Sequence, residues 1–244
     1  MGEPLPRTLP ARRFPPMTEP ASARPFPEKS SRRIASVVAL TLLEVIKSQD
    51  IPSETLESED TTITMPRRLG LSDVIERQIR RYRDEVKRKE RISDDEYRDL
   101  VRLVIRRPDS EEVFFHAGSI LAGDDRTSGW RRGLPRSLGY GLARRQTRRG
   151  LVKLFGRRIG GFGAGPFVLE ARAHLFIEHD PGGDACQFLT GFCQSVLQRY
   201  CGSRTRVAHS LCEARKDALC RWTVLAEERK PEEARGLVLN PEVG

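Results

Sequence analysis

All five cysteines of this 244-residue chain lie in one segment, CQFLTGFCQSVLQRYCGSRTRVAHSLCEARKDALC, together with one of its four histidines. Thiolates and imidazoles are ligands that zinc prefers, and a structural zinc ion takes four of them at tetrahedral corners, normally from two separate pieces of chain. The spacing here is Cys186, followed by His209-x2-Cys212-x7-Cys220. It predicts a closed site with three sulfur ligands and one nitrogen ligand, which would fasten a helix to a hairpin and carry out no chemistry itself.

The same residues also fit an alternative without a metal, in which three buried thiols lie near an unrelated histidine. The pattern is not a standard pair of CxxC knuckles, so spacing alone leaves both open. Cys193 lies two helical turns from Cys186, too far to share an ion with it, and we expect Cys193 and Cys201 to be small core residues. An odd number of cysteines without a convincing secretory signal argues against a disulfide scaffold and favours a cytoplasmic protein.

The elements that would position these ligands follow from hydrophobic periodicity. Asp184 is predicted to cap a helix over residues 185–200, and RTRVAHSL and CRWTVLAE are typical of two strands joined by the loop CEARKDAL. Before them, PFVLEARAHLFIEHD alternates apolar and polar residues, with His174 on the polar side, which predicts a strand with one face in water. Helices are predicted for the region between Arg32 and Gly123. This order predicts an α+β fold, with helices packed on one face of a small antiparallel sheet.

Composition divides the chain into four parts. Residues 1–30 hold eight of the sixteen prolines and are expected to be a disordered tail. Residues 31–65 are predicted to form a helix and an acidic linker, 66–226 the folded domain, and 227–244 a flexible tail. The segment SRRIASVVALTLLEVI could suggest an export signal or anchor, but its apolar run is interrupted by Glu44 and is too short to span a membrane. We therefore expect an ordinary helix there and no membrane span.

The positive charge of the chain is concentrated in residues 126–158, which contain eleven basic residues and no acidic one, while the rest sums to about −2. Residues 136–158 are predicted to form an arginine-rich helix with one apolar stripe, made of Leu138, Leu142, Leu151, Leu154 and Phe155. We favour a solvated helix face, and the alternative is contact with nucleic acid, an anionic membrane surface or an acidic partner. Aromatic residues are few in this segment, so stacking on bases is weakly indicated.

Four pieces of the sequence resemble the 4-vinyl reductase domain family over about residues 66–226. They are FFHAGSILAG at 114–123, the glycine-rich turn entering VLEARAHLFIEH, CQFLTGF at 186–192, and CEARKDALCRWTV at 212–224. The resemblance implies an α+β fold related to the TRAPP vesicle-tethering subunits and to effector-sensing domains of bacterial activators that respond to aromatic compounds. In that sensor branch three cysteines and a glutamate bind structural zinc. By position Cys186, Cys212 and Cys220 match the thiolates, and His209 replaces the glutamate.

The resemblance also implies an apolar cavity between helices and sheet that takes a small hydrophobic or aromatic molecule. Its candidate lining residues are Phe115, His116, Phe155, Phe167 and Leu169. The chain would then be a sensory or regulatory module without catalysis, acting through a protein effector, and the alternative is an accessory protein or reductase for vinyl groups of tetrapyrroles. The sequence shows no nucleophile–base pair and no redox-cofactor fingerprint. Related domains form dimers, and an exposed apolar helix at 34–46 could contribute to a homodimer here.

Overall fold

The computed structural model describes residues 32–50, 73–123, 135–178, 180 and 182–225. The predictions made for the N-terminal tail, the acidic linker and the C-terminal tail lie outside these residues. None of the described helices combines the length and the apolar composition that crossing a membrane requires.

The described residues form an α+β structure, which confirms the predicted class. It contains six α-helices: α1 (Ser36–Gln49), α2 (Asp73–Lys87), α3 (Asp94–Val104), α4 (Ser110–Leu121), α5 (Arg136–Phe155) and α6 (Gln187–Cys201). Strands β1 (Arg32–Ala35) and β2 (Arg91–Ser93) form an antiparallel pair. The other four strands form one antiparallel sheet in the order β3-β4-β6-β5: β3 (Gly161–Phe162), β4 (Val168–Ala171), β5 (Val207–Leu211) and β6 (Cys220–Val224).

Local signals in the sequence explain where several helices begin and end. The Ser93 hydroxyl accepts a hydrogen bond from the Glu96 N–H at 3.1 Å, so Ser93 caps α3. Helix α5 ends at Gly156, which has a φ of +65°, a left-handed conformation that glycine adopts without steric cost.

Helices α4 and α6 form the most extensive contact between two elements of the described chain. Their backbones touch where two glycines cross: a Cβ atom on Gly118 would lie 2.0 Å from the Phe188 carbonyl oxygen, and one on Gly191 would lie 2.0 Å from that of Phe115. Only residues without a side chain permit this approach. The crossing fixes the position of α6, which begins directly after Cys186.

An aromatic cluster fills the core beside this crossing. Phe155 packs edge-on against Phe176 at 5.3 Å and against Phe188 at 5.5 Å, and Tyr97 packs edge-on against Phe155 at 5.9 Å. Each of these side chains is fully buried. Edge-to-face pairs contribute about 0.5–1.5 kcal/mol beyond the burial of their area, so the cluster joins α3, α5 and α6 strongly.

The sheet has one buried and one wetter face, as the alternation in the sequence predicts. Leu169 and Ala171 of β4 and Trp222 of β6 are buried. On the opposite face, Glu170 and Arg221 are register partners and form an ion pair at 2.8 Å. This arrangement places the first residue of β6 opposite the last residue of β4.

Two predictions about these elements are wrong. The strand predicted over PFVLEARAHLFIEHD ends at Ala171, because Ala173 has a φ of +40° and donates its N–H to the Glu213 carboxylate at 2.8 Å instead of to a neighbouring strand. The helix at 34–46 is not exposed. Val38 and Leu42 are fully buried and α1 packs on α2 and α4, so the core extends beyond the domain boundary placed at residue 66.

Candidate metal centre

The hairpin β5–β6 carries three of the four predicted ligands. His209 lies in β5, Cys212 follows that strand, and Cys220 begins β6. Between the strands the chain forms a tight turn in which the Arg215 N–H donates to the Cys212 carbonyl at 2.9 Å, and the Cys212 N–H donates to the Asp217 carboxylate at 2.7 Å. These hydrogen bonds hold the backbone of Cys212 in one conformation.

The fourth ligand, Cys186, ends a short 3-10 turn that leads into α6. The carboxylate of Asp180 accepts hydrogen bonds from the Gly182 N–H at 2.9 Å and the Ala185 N–H at 2.6 Å, and so holds this turn. Asp184, predicted to cap the helix, makes no capping hydrogen bond. Its carboxylate instead accepts from the Ser110 hydroxyl at 2.6 Å, which ties the turn to the start of α4.

The fold brings the four predicted ligands together. One potential ligand atom from each of Cys186, His209, Cys212 and Cys220 lies within 4.8 Å of all the others. Zinc–sulfur bonds of about 2.3 Å place tetrahedral ligand atoms about 3.8 Å apart, so a small inward movement of the side chains would complete the geometry. The three sulfur atoms belong to buried residues, with Cys186 and Cys220 fully inaccessible. The cluster could therefore hold a metal ion shielded from solvent.

Proximity and burial shift the pKa values of the three clustered thiols in different directions. The Cys186 thiol donates a hydrogen bond to the Cys220 sulfur, which together with burial raises the pKa of Cys186 well above its usual range. The interaction with Cys186, together with the nearby imidazoles of His174 and His209, lowers the pKa of Cys220 to about 2. Burial is the main cause that raises the pKa of Cys212. A divalent cation would supply the charge that lets all three thiols ionise.

The imidazole of His209 is held by the ring of Trp222. The two rings stack with centroids 4.7 Å apart and planes 6° apart, and Trp222 is fully buried. The Nε2 atom of His209 is buried and has no hydrogen-bond partner. An orphaned imidazole nitrogen beside three sulfurs fits the donor set of a metal site, because a buried polar atom without a partner carries a desolvation cost.

Gly183 permits the closest backbone approach to the cluster. Its φ is +88°, and a Cβ atom at this position would lie 2.7 Å from the Cys212 sulfur. A side chain here would therefore both strain the backbone and displace a ligand atom. The sequence contains the signal for this residue in the pair Gly182–Gly183 directly before the helix, but it does not reveal that the glycine faces Cys212.

His174 is the functional candidate that sequence reasoning missed. The predicted strand placed it on the wet face, whereas its side chain is buried and both ring nitrogens lack a hydrogen-bond partner. Its ring packs edge-on against Trp222 with centroids 5.8 Å apart, and its interaction with Cys220 contributes to the low pKa of that thiol. A second imidazole therefore stands beside the four-residue cluster.

The remaining two cysteines lie outside the cluster, as predicted. Cys193 is fully buried in α6, and burial raises the pKa of its thiol. Cys201, at the end of α6, is partly buried and packs close to Gly139. All five cysteines are free thiols.

The five residues expected to line an apolar cavity lie in different parts of the described structure. Phe155 belongs to the aromatic cluster of the core, Phe115 is half-buried, and His116 is exposed beside Glu112. Phe167 lines a cleft of about 630 Å³. Leu169 lines a separate cavity of about 160 Å³.

No family model, curated protein or solved structure matches this chain.

Proposed function

We propose that the cluster is a structural zinc site, and that the chain is a domain that binds a small apolar molecule and has no catalysis of its own. The convergence of Cys186, His209, Cys212 and Cys220 carries this proposal. A donor set of three sulfurs and one nitrogen suits zinc, whereas calcium and magnesium take oxygen ligands. Four protein ligands complete a tetrahedron and leave no position for water or substrate, which is typical of structural sites.

Elemental analysis of the purified full-length chain tests the zinc site. We expect about one zinc per chain, and loss of the metal in Cys212→Ser because three ligands no longer close the tetrahedron. Cys201→Ser is the matched control, since it also removes a thiol but lies outside the cluster, and it should keep the full zinc content. A wild-type chain without zinc, or equal zinc in both variants, would overturn the site.

The cleft beside Phe167 is the proposed place for the ligand. It lies between the first turn of α5, the end of α6 and one end of the strand pair β4–β6. Its apolar lining residues are Tyr140, Pro166, Phe167, Val168, Val224 and Leu225. Its volume of about 630 Å³ falls within the range of small-molecule pockets. Arg136, Thr205 and Thr223 add the few polar groups that orient a ligand.

The strand pair connects the cleft with the metal centre. Cys220 pairs with Ala171 at one end, and Thr223 pairs with Val168 at the other, where both line the cleft. Three residues along a strand span about 10 Å. A metal ion that fixes Cys220 would therefore also fix the register of β6, the strand that forms a wall of the cleft. This coupling is a reason for a ligand-binding domain to contain a structural metal ion.

Titration with a simple phenol and with a porphyrin, monitored by tryptophan fluorescence, tests the ligand class. We expect saturable binding of the phenol that is lost in Thr223→Trp, because the larger side chain fills the cleft, while the zinc content stays unchanged. Leu103→Trp adds the same side chain on α3, away from the cleft, and should bind as the wild type does. Binding of the porphyrin alone would favour the tetrapyrrole alternative, and unchanged phenol binding in Thr223→Trp would exclude the cleft.

A further inference from the structure

One side of α5 is both cationic and apolar, and it faces solvent. Its exposed residues recur every three or four positions and so form a continuous surface along the helix. This α5 outer face consists of eight residues: Leu138, Gly141, Leu142, Arg145, Arg148, Arg149, Val152 and Lys153. Leu138 is 57% exposed, Leu142 39% and Val152 41%, which is unusual for three aliphatic side chains on one helix face.

The opposite side of α5 explains why these leucines point outward. The residues that face α6 are small: Gly139, Ala143 and Thr147 are buried, and a Cβ atom on Gly139 would lie 2.9 Å from the Tyr200 carbonyl oxygen. The helix therefore approaches α6 through small residues and keeps its larger aliphatic residues outside. Of the predicted apolar stripe, Leu151, Leu154 and Phe155 are buried, whereas Leu138 and Leu142 lie on the exposed side.

The cations of the α5 outer face have no carboxylate partner among the described residues. Helix α5 contains no acidic residue. Within the described part of the chain, the side chains of Arg145, Arg148, Arg149 and Lys153 form no ion pair. Arginines elsewhere are paired: Arg83 with Glu44 at 2.8 Å and Arg107 with Asp50 at 2.6 Å. The unpaired cations on this face therefore create a positive potential over exposed aliphatic surface.

We propose that the α5 outer face binds the surface of a membrane that contains anionic lipids. Helix α5 has 20 residues, so it spans about 30 Å and could lie flat on such a surface. Its aliphatic residues would enter the boundary between headgroups and acyl chains while the arginines contact lipid phosphates. This binding surface is separate from the metal centre and from the cleft, so it does not depend on the proposed zinc site.

Two other partners fit the face less well. A second copy of the chain meeting this face about a two-fold axis would bring arginines against arginines, and like charges repel. A nucleic acid would contact the arginines but would gain nothing from Leu138, Leu142 and Val152. The face has no aromatic side chain on which bases could stack. Of these three partners, only a lipid surface uses both kinds of residue.

Flotation of the full-length chain with vesicles tests the proposal. We expect binding to vesicles of phosphatidylcholine and phosphatidylserine, and none to phosphatidylcholine alone. Each cation near an anionic surface contributes about fivefold in partitioning, so Arg145→Glu/Arg149→Glu should weaken binding by about 25-fold or more. Leu138→Ser/Leu142→Ser keeps every charge and should weaken binding by about tenfold through lost apolar insertion.

Helix α3 and the turn after it offer matched controls, because Arg102 and Leu103 of the helix and Arg106 of the turn are exposed. Arg102→Glu/Arg106→Glu changes the net charge by the same amount as Arg145→Glu/Arg149→Glu does, and Leu103→Ser removes one exposed leucine. Both control variants should bind vesicles as the wild type does. The proposal is overturned if no vesicles bind or if the α3 variants weaken binding as much as the α5 variants. It is also overturned if the leucine variant is unaffected while duplex DNA displaces the vesicles, since that result would identify a nucleic-acid surface.

Discussion

The substitution Gly183→Ala tests the geometry of the metal centre directly. The residue has a φ of +88°, and a side chain in this left-handed conformation costs about 1–2 kcal/mol relative to glycine. The new Cβ atom would also lie 2.7 Å from the Cys212 sulfur, and ordinary contacts begin at 3.4 Å. The sulfur must therefore retreat by about 0.7 Å, although a metal site tolerates only about 0.2 Å in its bond lengths.

Gly123→Ala separates the two effects. Its φ of +85° is almost the same, but the nearest atom to its Cβ is the end of the Arg199 side chain at 3.8 Å. Both variants should lose similar stability when zinc is removed by a chelator, because they share the backbone cost. With zinc present only Gly183→Ala should show weaker binding, by about 10- to 100-fold, the range found when the surroundings of metal ligands are altered.

Competition with a chromophoric zinc chelator measures the affinity, and thermal unfolding with and without chelator measures the stability. With zinc bound, the free energies of unfolding of the two variants should differ by about 1.4–2.8 kcal/mol, which is the free-energy equivalent of that change in affinity. Equal zinc affinity in both variants would refute the reasoning, because the Cys212 sulfur would then not be a ligand in the position described here.

Three further predictions concern stability. Ser93→Ala removes the hydroxyl that caps α3 and should cost about 1 kcal/mol in urea unfolding. Gly191→Ala should lower the free energy of unfolding by about 3 kcal/mol or more, because the new Cβ meets a backbone carbonyl at 2.0 Å. Gly141→Ala is the control, since open space surrounds that residue, and it should raise the free energy of unfolding by up to about 1 kcal/mol. Equal effects of the two substitutions would contradict the helix crossing. Burial raises the pKa of Cys193 above its ordinary value of 9.0, so the folded state disfavours the thiolate. The contribution of Cys193 to the free energy of unfolding is therefore fully present below pH 9.0 and is lost as the pH rises above it. In Cys193→Ala, the urea midpoint should decrease less between a pH below 9.0 and a pH above 9.0 than it does in the wild type.

The helices and the hairpin follow from local patterns, and so they could be predicted from the sequence. The cap at Ser93 is an example, since the signal lies within four residues. The convergence of the four cluster residues could also be predicted, because all five cysteines of this chain lie in one segment and the four residues belong to a helix start and a hairpin. To predict that Cys186 and Cys212 lie close together, it was enough to predict the helix that follows Cys186 and the hairpin that contains Cys212.

Other features depend on contacts distant in sequence and could not be predicted. Periodicity counts apolar residues, so it grouped Leu138 with the buried Leu151 on one stripe, whereas α5 approaches α6 through Gly139 and Ala143. The strand β4 ends early because Ala173 bonds to Glu213, forty residues away, and this contact turns His174 into the interior. In both cases the residues that cause the change, those of α6 and Glu213, lie far along the chain from the segment whose structure they change.

The crossing of α4 and α6 limits how this chain can change during evolution. Gly118 and Gly191 each face a carbonyl oxygen of the opposite helix, so enlarging either residue forces the two backbones apart. The cysteines could be exchanged one at a time for other metal-binding residues, as imidazole and carboxylate substitute for thiolate, without moving a helix. Distant relatives that share this architecture should thus retain both glycines even where the metal centre has diverged or vanished.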